Sequence, residues 1–148
     1  MARPCVFGIG NPSRRDDGVG VWVAQALAAR LAPGAADVRV LADDGFALVD
    51  ALAGTRAALL IDAVQSSAAP GTVHRFDAVA GPLPAALLRC STHLLGVAEA
   101  VELARALGQL PERLQVYGIE GADFGIGEGL SPPVAAAAAA LVDELAGC

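Results

Sequence analysis

Apolar and polar residues follow two recurring patterns along this chain: short apolar runs and longer stretches with helical spacing. The run over residues 57–61 is apolar at every position, which is typical of a central strand covered on both faces. Residues 72–76 alternate between apolar and polar side chains, as in a half-exposed strand. These patterns predict strands over residues 6–9, 38–41, 57–61, 72–76 and 115–119.

Helical spacing of apolar residues occupies most of the segments between and after these strands. The first helix is predicted to start near Gly18, and Asp16 or Asp17 is well placed to cap it. Ser91 or Thr92 is similarly placed to cap a later helix. The predicted helical segments carry the apolar positions of residues 19–31, 48–52, 94–104 and 134–145.

Strand and helix therefore alternate with short connections throughout the chain. This order predicts one α/β domain over residues 1–148, with a mostly parallel five-stranded sheet and helices on both faces. No segment approaches the roughly 18 consecutive apolar residues of a membrane span. The first four residues lead directly into a strand, without a signal-peptide pattern. We therefore expect a cytoplasmic protein that has no membrane partner.

Composition and charge exclude several classes of function. A hydrophobic content of 55% with 18% charged residues excludes disorder. The net charge of −6 makes nucleic acid an unexpected partner, because an acidic surface repels phosphate backbones. The sequence contains no lysine, which excludes Schiff-base chemistry and the lysine-containing phosphate loop. The three cysteines form no CxxC pair, which argues against a structural zinc site.

Acidic residues follow the predicted strands at the sheet edge where open α/β folds bind ligands. Asp17 follows the first strand, Asp62 ends the third, and His93 starts a predicted helix that should face the same edge. Crowded carboxylates raise one another's pKa unless a cation shares the site, so the pattern favours a divalent metal. Carboxylate and imidazole together suit nickel, zinc, manganese or iron. Further polar residues expected at this edge are Asn11, Asp16, Asp43, Asp44 and Glu120.

Each candidate also has an ordinary structural interpretation. Asp16 and Asp17 are typical of a helix cap, Asp62 of a turn after a buried strand, and His93 of an exposed first helical turn. His74, in the alternating strand, is expected at the surface.

Other kinds of site fit the sequence less well. Gly8-Ile9-Gly10 begins like a dinucleotide fingerprint, but Ser13 stands where its third glycine belongs. No serine lies in a G-x-S-x-G elbow. Cys90 precedes His93 by three residues, and a loop thiol is a better interpretation of it than a nucleophile.

Several short motifs, taken in chain order, resemble the hydrogenase maturation endopeptidases. They are Gly-Ile-Gly-Asn-Pro at 8–12, Asp-Asp-Gly-Val-Gly at 16–20, Asp-Ala at 62–63, His-Leu-Leu-Gly at 93–96, Gly-Ile-Glu at 118–120 and Gly-Leu-Ser-Pro at 129–132. The resemblance implies a twisted sheet between helices and a metal-associated site formed by Asp17, Asp62 and His93. Asp16 is then expected to cap or orient, with Glu120 beside the site.

Enzymes of this kind remove a C-terminal extension from the large-subunit precursor of a nickel-iron hydrogenase after nickel insertion. The resemblance therefore implies that this precursor is the partner. We hypothesise that Asp17, Asp62 and His93 bind its nickel, which then acts as the recognition signal. The isolated protein need not hold nickel itself.

Two departures affect this transfer. Gly121 stands where the family often has proline. After the second strand many members have Asp-Gly-Gly or Asp-Gly-Thr, whereas this chain has Asp-Asp-Gly-Phe at 43–46, which leaves both Asp43 and Asp44 as candidates for the equivalent acidic residue. The alternatives are a non-catalytic metal-sensing module and a general metal-dependent peptidase.

Overall fold

The computed structural model describes residues 3–42, 44–84 and 95–147. Asp43, Cys90, Ser91, Thr92 and His93 lie outside the described residues. The elements in chain order are β1 (Cys5–Ile9), a 3₁₀ turn (Arg15–Gly18), α1 (Val19–Arg30), β2 (Asp37–Leu41), α2 (Gly45–Leu52), β3 (Ala57–Val64), β4 (Val73–Asp77), α3 (Val97–Ala106), β5 (Arg113–Glu120) and α4 (Pro132–Ala146).

The five strands form one sheet in the order β2-β1-β3-β5-β4. Strands β2, β1, β3 and β5 run parallel, and only β4 pairs antiparallel, along the edge of β5. The prediction of a mostly parallel five-stranded sheet is therefore confirmed. The carboxyl ends of the four parallel strands meet at one edge, where ligands of such folds bind.

Apolar layers cover both faces of the sheet, as expected. On one face, Leu48 of α2 and Val101 of α3 pack in the same cluster as Leu60 of β3. On the other, Leu27 of α1 and Leu141 of α4 pack with residues of β1, β3 and β5. Burial of each such side chain contributes roughly 1.5–3 kcal/mol to folding. Among the described residues, no helix is long and apolar enough to cross a membrane.

The start of α1 corrects one prediction. Helix α1 begins at Val19, and its N-cap residue is Gly18, which has no side chain to make a capping hydrogen bond. Asp16 and Asp17 instead belong to the 3₁₀ turn that precedes the helix. The prediction that one of them caps α1 was wrong, because both carboxylates make other contacts.

Strand β3 and helix α3 have different limits from those predicted. Strand β3 continues through Asp62 to Val64, since β5 pairs with it in register as far as Glu120. Asp62 is therefore a residue inside a strand rather than a turn residue after one. Helix α3 begins at Val97 with an extended Gly96 as its N-cap, and the predicted cap residues Ser91 and Thr92 lie outside the described residues.

Candidate functional site

Two glycines let the 3₁₀ turn and α1 lie directly against the carboxyl ends of β1 and β3. A Cβ atom on Gly20 would overlap the carbonyl oxygens of Ile61 and Ile9. Gly10 has a φ of +144°, which L side chains rarely adopt, and a Cβ atom there would overlap the carbonyl oxygen of Asp17. These close approaches bring the backbone of Asp17 to the edge of the sheet.

Asp17 is a buried carboxylate at this edge, with only 2% of the residue exposed. Its Oδ2 accepts a hydrogen bond of 3.0 Å from the backbone N–H of Asn11. Its own N–H donates to the carbonyl of Arg14 at 3.1 Å. The structure therefore brings the predicted residues Asn11 and Asp17 together. It is the main chain of Asn11 that makes the contact, while its side chain accepts from Ser13 N–H.

Asp62 is the second buried carboxylate at the carboxyl edge, with 3% of the residue exposed. It lies one residue beyond Ile61, the last β3 residue that pairs with β1, and opposite Gly118 of β5. Its Oδ1 accepts from the N–H of Ala63 at 2.8 Å. Because side chains alternate along a strand, Asp62 lies on the same face of β3 as Leu60, towards the layer of α2 and α3.

Asp16 is fully buried, and its carboxylate binds a loop more than 100 residues away in sequence. Oδ2 accepts from Ala122 N–H at 2.8 Å, from Asp123 N–H at 2.9 Å and from the Ser131 hydroxyl at 2.8 Å. Oδ1 accepts from Ser131 N–H at 2.7 Å. Burial alone raises the pKa of this carboxyl group. The hydrogen bonds from Ser131, Ala122 and Asp123 outweigh it, so the pKa lies below the ordinary value.

Glu120 ends β5 as a buried carboxylate with 1% exposure. It accepts from the N–H of Ser66 at 2.6 Å and from the Ser66 hydroxyl at 2.5 Å. Its Oε1 also lies 3.2 Å from Nε2 of His74. The expectation that His74 is a surface residue was wrong, because this contact and a ring stack on Phe76 leave it half-buried.

Asp44 is the N-cap of α2, where its Oδ1 accepts from Phe46 N–H at 3.0 Å and from Ala47 N–H at 3.4 Å. This contact gives Asp44 a structural role, and Asp43 lies outside the described residues.

Ser131 and Ser66, which bind the carboxylates of Asp16 and Glu120, were not among the predicted site residues. A serine beside a proline suggests only a helix start, and Ser131 is indeed the N-cap residue of α4.

A metal site that includes His93 remains a prediction, since His93 lies outside the described residues. Within residues 3–42, 44–84 and 95–147, no group of three His, Cys, Asp or Glu side chains is arranged to hold a metal ion. Leu95, which follows His93 by two residues, packs closely enough that a Cβ atom on Gly45 would overlap its carbonyl oxygen.

A sequence profile described as hydrogenase maturation protease matches residues 21–147. The chain belongs to the hydrogenase maturation protease family. The matched range includes Asp62 and His93 and begins after Asp17.

One relative by sequence is the hydrogenase expression/formation protein HupD of Thiocapsa roseopersicina, which is 31% identical over 117 residues. The match covers 78% of this chain and 52% of HupD, so the chain spans about half the length of this relative.

Solved structures of hydrogenase maturation proteases share the fold. The maturating endopeptidase HybD from Escherichia coli has 27% identity and a TM-score of 0.79, with 97% of this chain and 90% of that chain covered. The solution structure of an Escherichia coli endopeptidase has 26% identity and a TM-score of 0.84, with the same coverage. HycI from Thermococcus kodakarensis, at 22% identity, covers 98% of this chain and 90% of its own with a TM-score of 0.79. At that identity the likeness concerns the fold alone.

Proposed function

We propose that this protein is an endopeptidase that removes the C-terminal extension from the large-subunit precursor of a nickel-iron hydrogenase. The observation that carries the proposal is the family match over residues 21–147, which spans most of the chain. The likeness to two endopeptidases of Escherichia coli over 97% of the chain supports the same activity. Both the substrate and its processing after nickel insertion belong to the proposal.

Asp17, Asp62 and His93 are the residues proposed to bind the nickel of the precursor. The chemistry of Asp17 and Asp62 fits a divalent ion, because both are carboxylates buried at the carboxyl edge of the sheet. A buried carboxylate is costly to keep charged unless hydrogen bonds or a cation stabilise it. An imidazole from His93 would complete a set of three ligands and leave further positions open to the substrate.

Nickel bound between enzyme and precursor would act as a Lewis acid towards a carbonyl oxygen or a water molecule. The chain's own contribution is to orient its ligands before the substrate arrives. The N–H of Asn11 holds Oδ2 of Asp17, and the N–H of Ala63 holds Oδ1 of Asp62. A fixed carboxylate loses little conformational freedom on binding, which lowers the entropic cost of recognition.

The test is to incubate the purified protein with a nickel-loaded precursor, in parallel with nickel-free precursor, and to measure the precursor's mass. Loss of a short C-terminal peptide only from the nickel-loaded sample is the expected result. Loss from both samples would keep the endopeptidase and reject nickel as the recognition signal.

Two further outcomes would overturn the proposal. Binding of a nickel-loaded cognate precursor without any change of mass would identify a metal-sensing module instead of a protease. Cleavage of short unstructured peptides without nickel would identify a general peptidase. The His93→Ala variant extends the test to the residue outside the described ranges, and it should leave the nickel-loaded precursor uncut.

A further inference from the structure

The carboxylate of Asp16 is buried, and it accepts hydrogen bonds from a distant part of the chain instead of capping helix α1. All four of its hydrogen bonds come from three residues, Ala122, Asp123 and Ser131. These residues belong to the segment 121–131 that connects β5 to α4, called here the 121–131 loop. A charged acceptor with several backbone N–H donors is among the stronger hydrogen-bonding arrangements in proteins.

The main chain around Asp16 joins the same loop. The N–H of Asp16 donates to the carbonyl of Asp123 at 3.0 Å, and the N–H of Arg15 donates to Gly127 at 2.9 Å. The N–H of Gly127 donates in turn to the carbonyl of Ser13 at 2.9 Å. The 121–131 loop is therefore attached to the 3₁₀ turn through both backbone and side chain.

Asp17 follows this attachment point directly, and two contacts connect it to the preceding loop. Its Oδ2 accepts from Asn11 N–H, and its N–H donates to Arg14. A movement of Asp16 rotates the peptide that carries Asp17 and moves its carboxylate relative to the Asn11 N–H. Displacements of about 1 Å at a reacting centre can reduce rates by about 100-fold.

We infer that Asp16 is a positioning residue, which holds the Asp17 carboxylate in place by binding Ser131 and the 121–131 loop. The inference rests on the proposed function for the role of Asp17. The hydroxyl of Ser131 makes no capping bond to α4 and donates to Asp16 instead. Ser131 therefore acts on the site through Asp16, although it lies 114 positions after Asp17 in the sequence.

The test compares the backbone amide of Asn11 in the wild type and in Ser131→Ala, Ser131→Thr and Asp16→Asn by NMR. Since this amide donates to Asp17, its proton shift and its hydrogen-exchange rate report the position of that carboxylate. In Ser131→Ala we expect a displaced Asn11 resonance and exchange about 10-fold faster. Ser131→Thr keeps the hydroxyl and should restore both values. Ser67→Ala, on an exposed serine, is the matched control.

Cleavage of the precursor provides the second measurement. The value of kcat per folded enzyme should fall about 10-fold in Ser131→Ala and recover in Ser131→Thr. An unchanged Asn11 amide in both Ser131→Ala and Asp16→Asn, with shifted Ala122 and Asp123 amides, would overturn the inference. If Asp16→Asn does not fold, Ser131→Ala alone decides. Failure of the wild type to cut any precursor would reject the proposed function, and the Asn11 amide would still decide the positioning role.

Discussion

Nε2 of His74 on β4 lies 3.2 Å from Oε1 of the buried Glu120 on β5. The same carboxylate accepts two hydrogen bonds from Ser66, and the main chain of Glu120 makes hydrogen bonds to the main chains of Gly71 and Thr72. Glu120 thus attaches the connection between β3 and β4 to the carboxyl end of β5. This connection begins directly after the part of β3 that carries Asp62.

The first prediction concerns that attachment. Glu120→Gln should lower the free energy of unfolding by about 1–3 kcal/mol, because an amide has a single acceptor oxygen and leaves a donor of Ser66 or His74 unpaired. Urea unfolding followed by circular dichroism measures the change. Glu112→Gln is the matched control, since its side chain is 70% exposed and its surface pair with Arg56 contributes at most about 1 kcal/mol. Equal effects of the two substitutions would contradict the prediction.

The second prediction concerns the close approach of α1 to the strand ends. Gly20→Ala should destabilise the fold by about 1–3 kcal/mol, because the added methyl group overlaps the carbonyl oxygens of Ile61 and Ile9. Alanine normally stabilises a helix relative to glycine, so the sign of the effect is itself diagnostic. Gly81→Ala adds the same methyl group where no atom lies within 4 Å and should be tolerated. Thermal unfolding of both variants measures the difference, and an unchanged or raised midpoint for Gly20→Ala would be inconsistent with this packing.

The third prediction concerns pH. The pKa of Asp16 is lowered in the folded protein, so the unfolded chain binds more protons than the native state as pH falls. The resulting stability is complete above the unfolded pKa of about 3.9 and is lost as pH falls through the lower folded pKa. Asp16→Asn lacks this titration and should be less stable at pH 7, with a shallower loss of stability below about pH 4. Denaturant midpoints between pH 7 and pH 3 measure this pH dependence of stability in the wild type and in Asp16→Asn. Parallel plots of midpoint against pH for the two proteins would argue against the lowered pKa of Asp16.

The sheet and its two helical layers were predictable because local patterns determine them. The apolar run at 57–61 indicated a central strand, and β3 is indeed paired on both sides. The end of β3 was not predictable, since an aspartate after an apolar run usually marks a turn. Pairing with β5, which depends on distant residues, extends the strand through Asp62.

The site itself was predictable only in part. Asp17 and Asp62 were expected at the carboxyl edge, and both are buried there. The partners of Asp16 were not expected, because local sequence suggested a cap for α1 while its donors come from residues 122, 123 and 131. The contact of His74 with Glu120 spans 46 positions and has no local signal in the sequence.

The most direct test of the proposed site compares Asp62→Asn with Asp50→Asn, a control on the exposed side of α2. Asparagine keeps the shape of the side chain and removes its charge. With nickel-loaded precursor and mass spectrometry as the readout, Asp62→Asn should release the C-terminal peptide about 100-fold more slowly, since changing even a partner of a metal ligand typically costs roughly 10–100-fold in activity. Asp50→Asn should cut at the wild-type rate. Full cleavage by a folded Asp62→Asn variant would show that Asp62 is not part of the active site.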